Sequence, residues 1–221
     1  MELLNLHLYI DNSNKFLYIP IGKNAHTKLS QSLSDASWFR INGVAFEDLE
    51  DLLANKTVFC ILRNPLERWI TAFVTFCLTL ETPEDLANLP ADSVKILDHF
   101  CQLLTKDVKS AFIYLFSLNK FNLDWHTRLQ IEYIQPINLD KITFFYLNNN
   151  TGNQINQWLN SANVALSMDN RNINATNKKD PVYTNLVAFL ADPSNIKYKQ
   201  KLLEYLQPDY DLINSVKFYA G

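Results

Sequence analysis

From Lys15 to Leu29 the chain reads Lys-Phe-Leu-Tyr-Ile-Pro-Ile-Gly-Lys-Asn-Ala-His-Thr-Lys-Leu. A β-branched and aromatic strand runs into a short polar loop with one glycine and two lysines, and a helix follows. A strand that feeds a helix N-terminus through a loop gathers free backbone N–H groups around one point. The helix dipole and side-chain cations add to the same positive field, which suits a phosphate or a sulfate. A second strand–loop–helix passage spans Thr57 to Leu80, with Arg63 and Arg68 near its turn. Two such passages point to a ligand with two separated anionic groups.

The first loop is not the nucleoside-triphosphate pattern G-x-x-x-x-G-K-(S/T), because Lys23 follows Gly22 directly and Thr27 precedes Lys28. A G-x-G-x-x-G pattern is also absent from a chain with four glycines. The segment Ile19-Pro20-Ile21-Gly22-Lys23-Asn24-Ala25-His26-Thr27-Lys28-Leu29 resembles the 5′-phosphosulfate loop of sulfotransferases that use 3′-phosphoadenosine 5′-phosphosulfate (PAPS), roughly I-P-K-(T/N)-A-x-(S/T)-(S/T)-L. It departs from that pattern at Gly22, usually proline, and at Lys28, usually serine or threonine. Arg63-Asn64-Pro65-Leu66-Glu67-Arg68-Trp69-Ile70-Thr71-Ala72-Phe73 resembles the same family's 3′-phosphate motif, R-(D/N)-P-x-x-R-x-x-(S/T)-x-(F/Y). Asp124-Trp125-His126-Thr127-Arg128-Leu129-Gln130 resembles the D-x-H-x-x-x-Q segment of its carbohydrate-type members. The three matches fall in the family's order, and the resemblance covers about residues 15 to 215.

The resemblance implies roles. Lys23 would neutralise charge on the oxygen that bridges sulfur and the departing phosphate, which stabilises the transition state more than the ground state. Gly22, Asn24, Ala25, His26, Thr27 and Lys28 complete the 5′-phosphosulfate loop. Arg63 and Thr71 match the 3′-phosphate ligands, and a guanidinium can give one phosphate two parallel hydrogen bonds. Arg68 divides evenly between ligand contact and structural support of its helix. His126 is the candidate general base, because imidazole titrates near neutral pH and can take the proton of an attacking hydroxyl; His26 is the rival. Thr176 and Lys178 match loosely a late loop that closes over the nucleotide. PAPS is then the donor and adenosine 3′,5′-bisphosphate the product, the acceptor is a glycan or lipid hydroxyl or amine, and no metal is called for.

Composition agrees with an enzyme-sized core. At 221 residues, 48% of them hydrophobic, the chain can bury one. A net charge of −3 without a long basic run argues against nucleic acid as a partner. Cys60, Cys77 and Cys101 lie in apolar stretches without metal-ligand spacing and read as buried reduced thiols. No secretory signal opens the chain, and no run approaches the ~20 apolar residues of a membrane span. Golgi members of the family carry an N-terminal anchor, so a cytoplasmic enzyme of microbial or viral type is expected here, with peripheral membrane contact and oligomeric state left open.

The elements that must position these residues follow from periodicity. Phe16 to Ile19, Val58 to Leu62 and Ile142 to Leu147 are apolar runs suited to buried parallel strands. His7 to Ile10 reads as an edge hairpin strand, with Asp11 to Asn14 as its turn. Helices are predicted over Thr27 to Ser34, from Pro65 with Asn64 as N-cap, and over Val94 to Leu104 and Val108 to Leu118. Ile155 to Leu159, Tyr183 to Leu190 and Ile196 to Leu206 add three more. After Pro65 an apolar stripe from Leu66 to Leu80 leaves Glu67, Arg68, Thr71 and Thr75 on the opposite face, with Arg68 and Thr71 directed out of the core. Asp169 to Asp180 reads as a long exposed loop. The fold class predicted is three-layer α/β, the P-loop-like sulfotransferase arrangement, with a short parallel sheet flanked by helices. It forms one domain over 1–221, with an acceptor-binding helical insertion at about 82–122. The competing readings are a nucleotide-dependent kinase, which lacks its triphosphate loop and metal-holding carboxylates, and a non-catalytic nucleotide-binding relative of sulfotransferases.

Overall fold

Short apolar runs bounded by turn residues assemble, in a computed structural model, into a mixed five-stranded sheet of order β3-β1-β2-β4-β5. The structure describes residues 6–44, 51–79, 89–135, 137–164, 166 and 180–220. The strands are β1 (Leu6–Ile10), β2 (Phe16–Ile19), β3 (Phe39–Val44), β4 (Thr57–Leu62) and β5 (Ile142–Tyr146). The helices are α1 (His26–Asp35), α2 (Pro65–Thr79), α3 (Ala91–Leu104), α4 (Val108–Ser117), α5 (Ile131–Ile134), α6 (Thr151–Ser161), α7 (Pro181–Ala191) and α8 (Ile196–Ser215). The chain divides into two compact units.

The first unit draws on Met1–Asn64, Gln130–Ala175 and Asp211–Gly221 and contains the sheet. Strands β2, β4 and β5 run parallel, with Ile19 beside Cys60 and Leu62 beside Tyr146. All four β2 residues are buried because both sheet faces are covered. Leu17 and Ile19, with Val58, Cys60 and Leu62, face one apolar layer that includes Tyr133, Ile134 and Leu212. Phe16 and Tyr18, with Phe59 and Ile61, face the other, against Leu29 and Leu33 of α1 and Ile155 and Leu159 of α6. That two-sided burial is why these strands read as continuous apolar runs rather than alternating ones.

The antiparallel edge departs from expectation. Strand β1 is not an edge, because it pairs with β2 on one side and β3 on the other. Strand β3 carries no sequence signal: four of its six residues, Phe39, Arg40, Asn42 and Gly43, are exposed. At the hairpin between β1 and β2, Asp11 acts as the expected turn residue. Its Oδ1 accepts the N–H groups of Lys15 and Phe16, each at 2.7 Å, and its Oδ2 accepts the Ser13 N–H at 3.0 Å and the Ser13 hydroxyl.

The second unit draws on Pro65–Leu129 and Thr176–Tyr210 and is helical. Its core is aromatic: Trp69 of α2 is fully buried, stacks on Phe73 with centroids 5.2 Å apart, and donates Nε1–H to the Phe121 carbonyl at 3.0 Å. Phe73 meets Phe100 of α3 at 5.3 Å, and Phe112 of α4 meets Phe189 of α7 at 5.2 Å. Asp107 caps α4 through the N–H groups of Lys109 and Ser110, and Asp180 caps α7 through Val182. Helix α8 runs nine residues past the predicted end at Leu206, through Pro208 to Ser215. No helix among the described residues is long and apolar enough to cross a membrane.

Candidate functional site

The connection from β2 to α1 is a tight turn with an irregular backbone. The Asn24 N–H donates to the Ile21 carbonyl at 3.1 Å, and Lys23 and Ala25 on either side of Asn24 have φ of 65° and 61°. Left-handed conformations are costly for residues with a Cβ, about 1–2 kcal/mol each, and need support from their surroundings. Gly22 does not use the freedom of glycine, since the positive-φ glycine among the described residues is Gly43. The hand of the turn at position 22 therefore does not depend on glycine.

Helix α1 then begins without a side-chain cap. Ala25 occupies the N-cap and has no hydroxyl or carboxylate to offer, and the Leu29 N–H to Ala25 carbonyl bond, 3.0 Å, opens the helical ladder. The N-terminal pole of the helix dipole is thus not neutralised by an acidic first turn. Thr27 is exposed in this first turn, and Lys23 and Lys28 are half-buried. Positive φ at Lys23 and Ala25, with neighbours at negative φ, is the backbone alternation from which anion-binding nests are built.

A buried polar network fixes this turn to the end of β4. Asn24 and Gln130 are both fully buried, and Arg63 is 4% exposed. Asn24 Nδ2 donates to the Ile61 carbonyl and to Gln130 Oε1, each at 2.7 Å. Gln130 Oε1 also accepts the Arg63 N–H at 3.0 Å, and its Nε2 donates to the Arg63 carbonyl at 2.9 Å. The Arg63 guanidinium reaches the Lys23 carbonyl at 3.2 Å. Buried amides are tolerated only when bonded in this way, each bond contributing about 1 kcal/mol net.

In the second unit, Asp124 organises a loop around His126. Asp124 Oδ1 accepts the N–H groups of His126 and Thr127, each at 3.0 Å, and Oδ2 bonds His126 Nδ1. A carboxylate at Nδ1 calls for the proton on that nitrogen and directs the lone pair to Nε2. The His126 side chain is 21% exposed and that of Asp124 only 3%, so the imidazole is reachable while its orienting partner is not. Trp125, 46% exposed, lies against the imidazole with ring centroids 3.7 Å apart. The loop is also held by Thr127 Oγ1, which accepts the N–H groups of Leu123 and Asp124, and by the Tyr205 hydroxyl on the Thr127 carbonyl at 3.1 Å.

Two residues of α2 differ from expectation. Arg68 and Thr71 do not point out of the core: they are 0% and 6% exposed, because Ile70, Ala72 and Val74 are buried as well and the helix is covered on nearly every side. The Arg68 guanidinium donates to the Arg128 carbonyl at 2.6 Å, which favours the supporting role. The Thr71 hydroxyl donates to the Glu67 carbonyl one turn back, at 2.8 Å.

Within the first unit the structure therefore brings together Lys23, Asn24 and Arg63; within the second it brings His126 to Asp124 and places Thr71 on a buried helix. His26 opens α1, its side chain outside the described set, and Thr176 and Lys178 lie outside the described residues. The sequence placed Asn24 in the phosphosulfate-like loop and gave Gln130 no role of its own. The only signal for the amide pair was the glutamine closing the Asp124–Gln130 segment. Comparison with protein-family models, curated proteins and solved structures returns no match to this chain.

Proposed function

We propose that the chain is a PAPS-dependent sulfotransferase of P-loop-like sulfotransferase fold, transferring a sulfuryl group to a hydroxyl or amine of a carbohydrate or glycolipid acceptor in the cytoplasm. The observation that carries this reading is the hydrogen bond from Arg63 to the Lys23 carbonyl, which ties residues 40 apart in sequence at the ends of two adjacent parallel strands. The residue matched to the 3′-phosphate and the residue matched to the departing phosphate thus belong to one small constellation. The turn suits the phosphate side of the donor: its helix start has no side-chain cap, its backbone alternates in hand, and lysines stand at 23 and 28.

In the proposed reaction an acceptor oxygen bonds to sulfur as the bond from sulfur to the bridging oxygen breaks, and adenosine 3′,5′-bisphosphate leaves. Lys23 stabilises charge growing on the departing oxygen. His126 Nε2, oriented through Asp124, takes the acceptor's proton.

Calorimetry with adenosine 3′,5′-bisphosphate, ATP and AMP tests the donor assignment, and transfer from labelled PAPS to sugar, lipid and phenol acceptors tests the reaction. The bisphosphate is expected to bind most tightly. Equal binding of all three, or of none, would overturn the reading.

A further inference from the structure

Resting on that donor-site reading, we propose that Gln130 is a positioning residue for the anion-binding turn, acting through Asn24 and Arg63 without itself touching the ligand. The argument is one of amide orientation. The Arg63 peptide offers a donor and an acceptor side by side, and only one orientation of the Gln130 amide satisfies both, with Oε1 on the N–H and Nε2 on the carbonyl. With Oε1 so fixed, Asn24 must present Nδ2 to it, and the same Nδ2 reaches the Ile61 carbonyl. A flipped Asn24 would set its oxygen against two oxygens.

The forced orientation leaves a mark. Asn24 Oδ1 is buried with no hydrogen-bond partner among the described residues. An amide free to choose its orientation would not leave an acceptor stranded. Asn24 is held this way by Gln130 Oε1, which the Arg63 peptide fixes, together with the Ile61 carbonyl, and it sits between the two residues with left-handed backbone, Lys23 and Ala25. The other end of Arg63 holds the Lys23 carbonyl, so the turn is gripped on both sides by groups that Gln130 aligns. Without that grip, Lys23 and Ala25 relax toward negative φ, and the ammonium and the N–H groups lose their common focus.

Hydrogen exchange by NMR on the full chain tests this. In the wild-type protein the side-chain amide protons of Gln130 and Asn24 should exchange slowly; exchange at the rate of solvent-exposed amides would overturn the relay. Gln130→Met keeps the volume and removes the bonds to Asn24 and to the Arg63 peptide. The Asn24 backbone amide, which donates to the Ile21 carbonyl, should then lose about tenfold or more of its protection while Leu17 and Tyr18 in β2 keep theirs, a local rather than global opening. Unchanged protection in the turn, or a loss spread evenly over the sheet, would overturn the proposal. Asn24→Ala made on top of Gln130→Met also removes the bond to the Ile61 carbonyl, so the double loss should exceed that of Gln130→Met yet fall short of the sum of the two single losses; fully additive losses would count against the relay. Calorimetry with adenosine 3′,5′-bisphosphate separates the two readings. A wild-type protein that ignores the nucleotide defeats the donor assignment and leaves the relay to the exchange data. A Gln130→Met protein that binds it as tightly as wild type defeats the positioning role.

Discussion

Arg63 spans from the end of β4 to the turn after β2, its backbone clasped by the Gln130 amide and its guanidinium on the carbonyl of Lys23. Arginine here serves the turn as well as any ligand, and substitutions at 63 and at 23 should consequently separate. In a thermal-shift assay adenosine 3′,5′-bisphosphate is expected to stabilise the wild-type protein by about 2.7 kcal/mol at a hundredfold excess over Kd. Arg63→Ala should remove most of that shift, and Arg63→Lys should restore only part, since lysine lacks the fork. Lys23→Ala should instead lower single-turnover transfer by roughly a hundredfold or more. Equal effects of Lys23→Ala and Arg63→Ala on binding and on turnover would remove the distinction.

The dyad of Asp124 and His126 makes a separate claim. His126→Ala should reduce transfer to the acceptor and leave nucleotide affinity intact. Asp124→Asn places an amide beside Nδ1 and favours the wrong imidazole tautomer, so it should impair turnover although its shape is conserved. Calorimetry beside initial rates checks both variants. Full turnover in His126→Ala would transfer the proton to another group.

Asp11 gives a prediction about stability. Burial works against its charge, but the Ser13 hydroxyl and the N–H groups of Phe16, Lys15 and Ser13 outweigh it and hold the carboxyl below its usual range. A depressed folded value stabilises above the unfolded pKa and ceases to do so as pH falls through the folded one. Asp11→Ala should therefore cost about 2 kcal/mol near neutral pH. The gap from wild type should narrow steadily in acid, as measured by urea unfolding across pH. A gap that widens in acid would contradict the assignment.

Cys60 is fully buried in β4, and burial pushes its thiol far above the ordinary range. The native protein at neutral pH should leave Cys60 unlabelled by an aromatic disulfide reagent and release it in denaturant. Rapid native labelling, located by peptide mass, would show that the strand opens.

Much of this architecture was legible where burial is strongest. Strands β2, β4 and β5 announce themselves because both faces are covered, and α1, α3, α4 and α7 begin within three residues of prediction. Strand β3 escaped because Arg40, Asn42 and Gly43 face outward and offer no apolar alternation. The outward assignment of Arg68 and Thr71 failed for a related reason. A periodic stripe identifies the most apolar face of a helix but does not show that the remaining faces are open. Lys23 and Arg63 stood out singly as candidates. Their connection did not, because it depends on Gln130, whose side chain arrives from 67 residues beyond Arg63.

The alternating hand of the backbone around Asn24 also limits which sequences can share this turn. Position 23 and position 25 each need a residue that tolerates positive φ. Glycine, asparagine and aspartate satisfy that demand readily, whereas valine, isoleucine and threonine crowd their own backbone there. Saturation libraries at the two sites should consequently be depleted of β-branched residues even under selection for folding alone, with no ligand or activity in the screen. Position 25 should accept glycine freely. Position 23 should accept it for folding and reject it for transfer, so that one codon separates the demands of shape from those of charge.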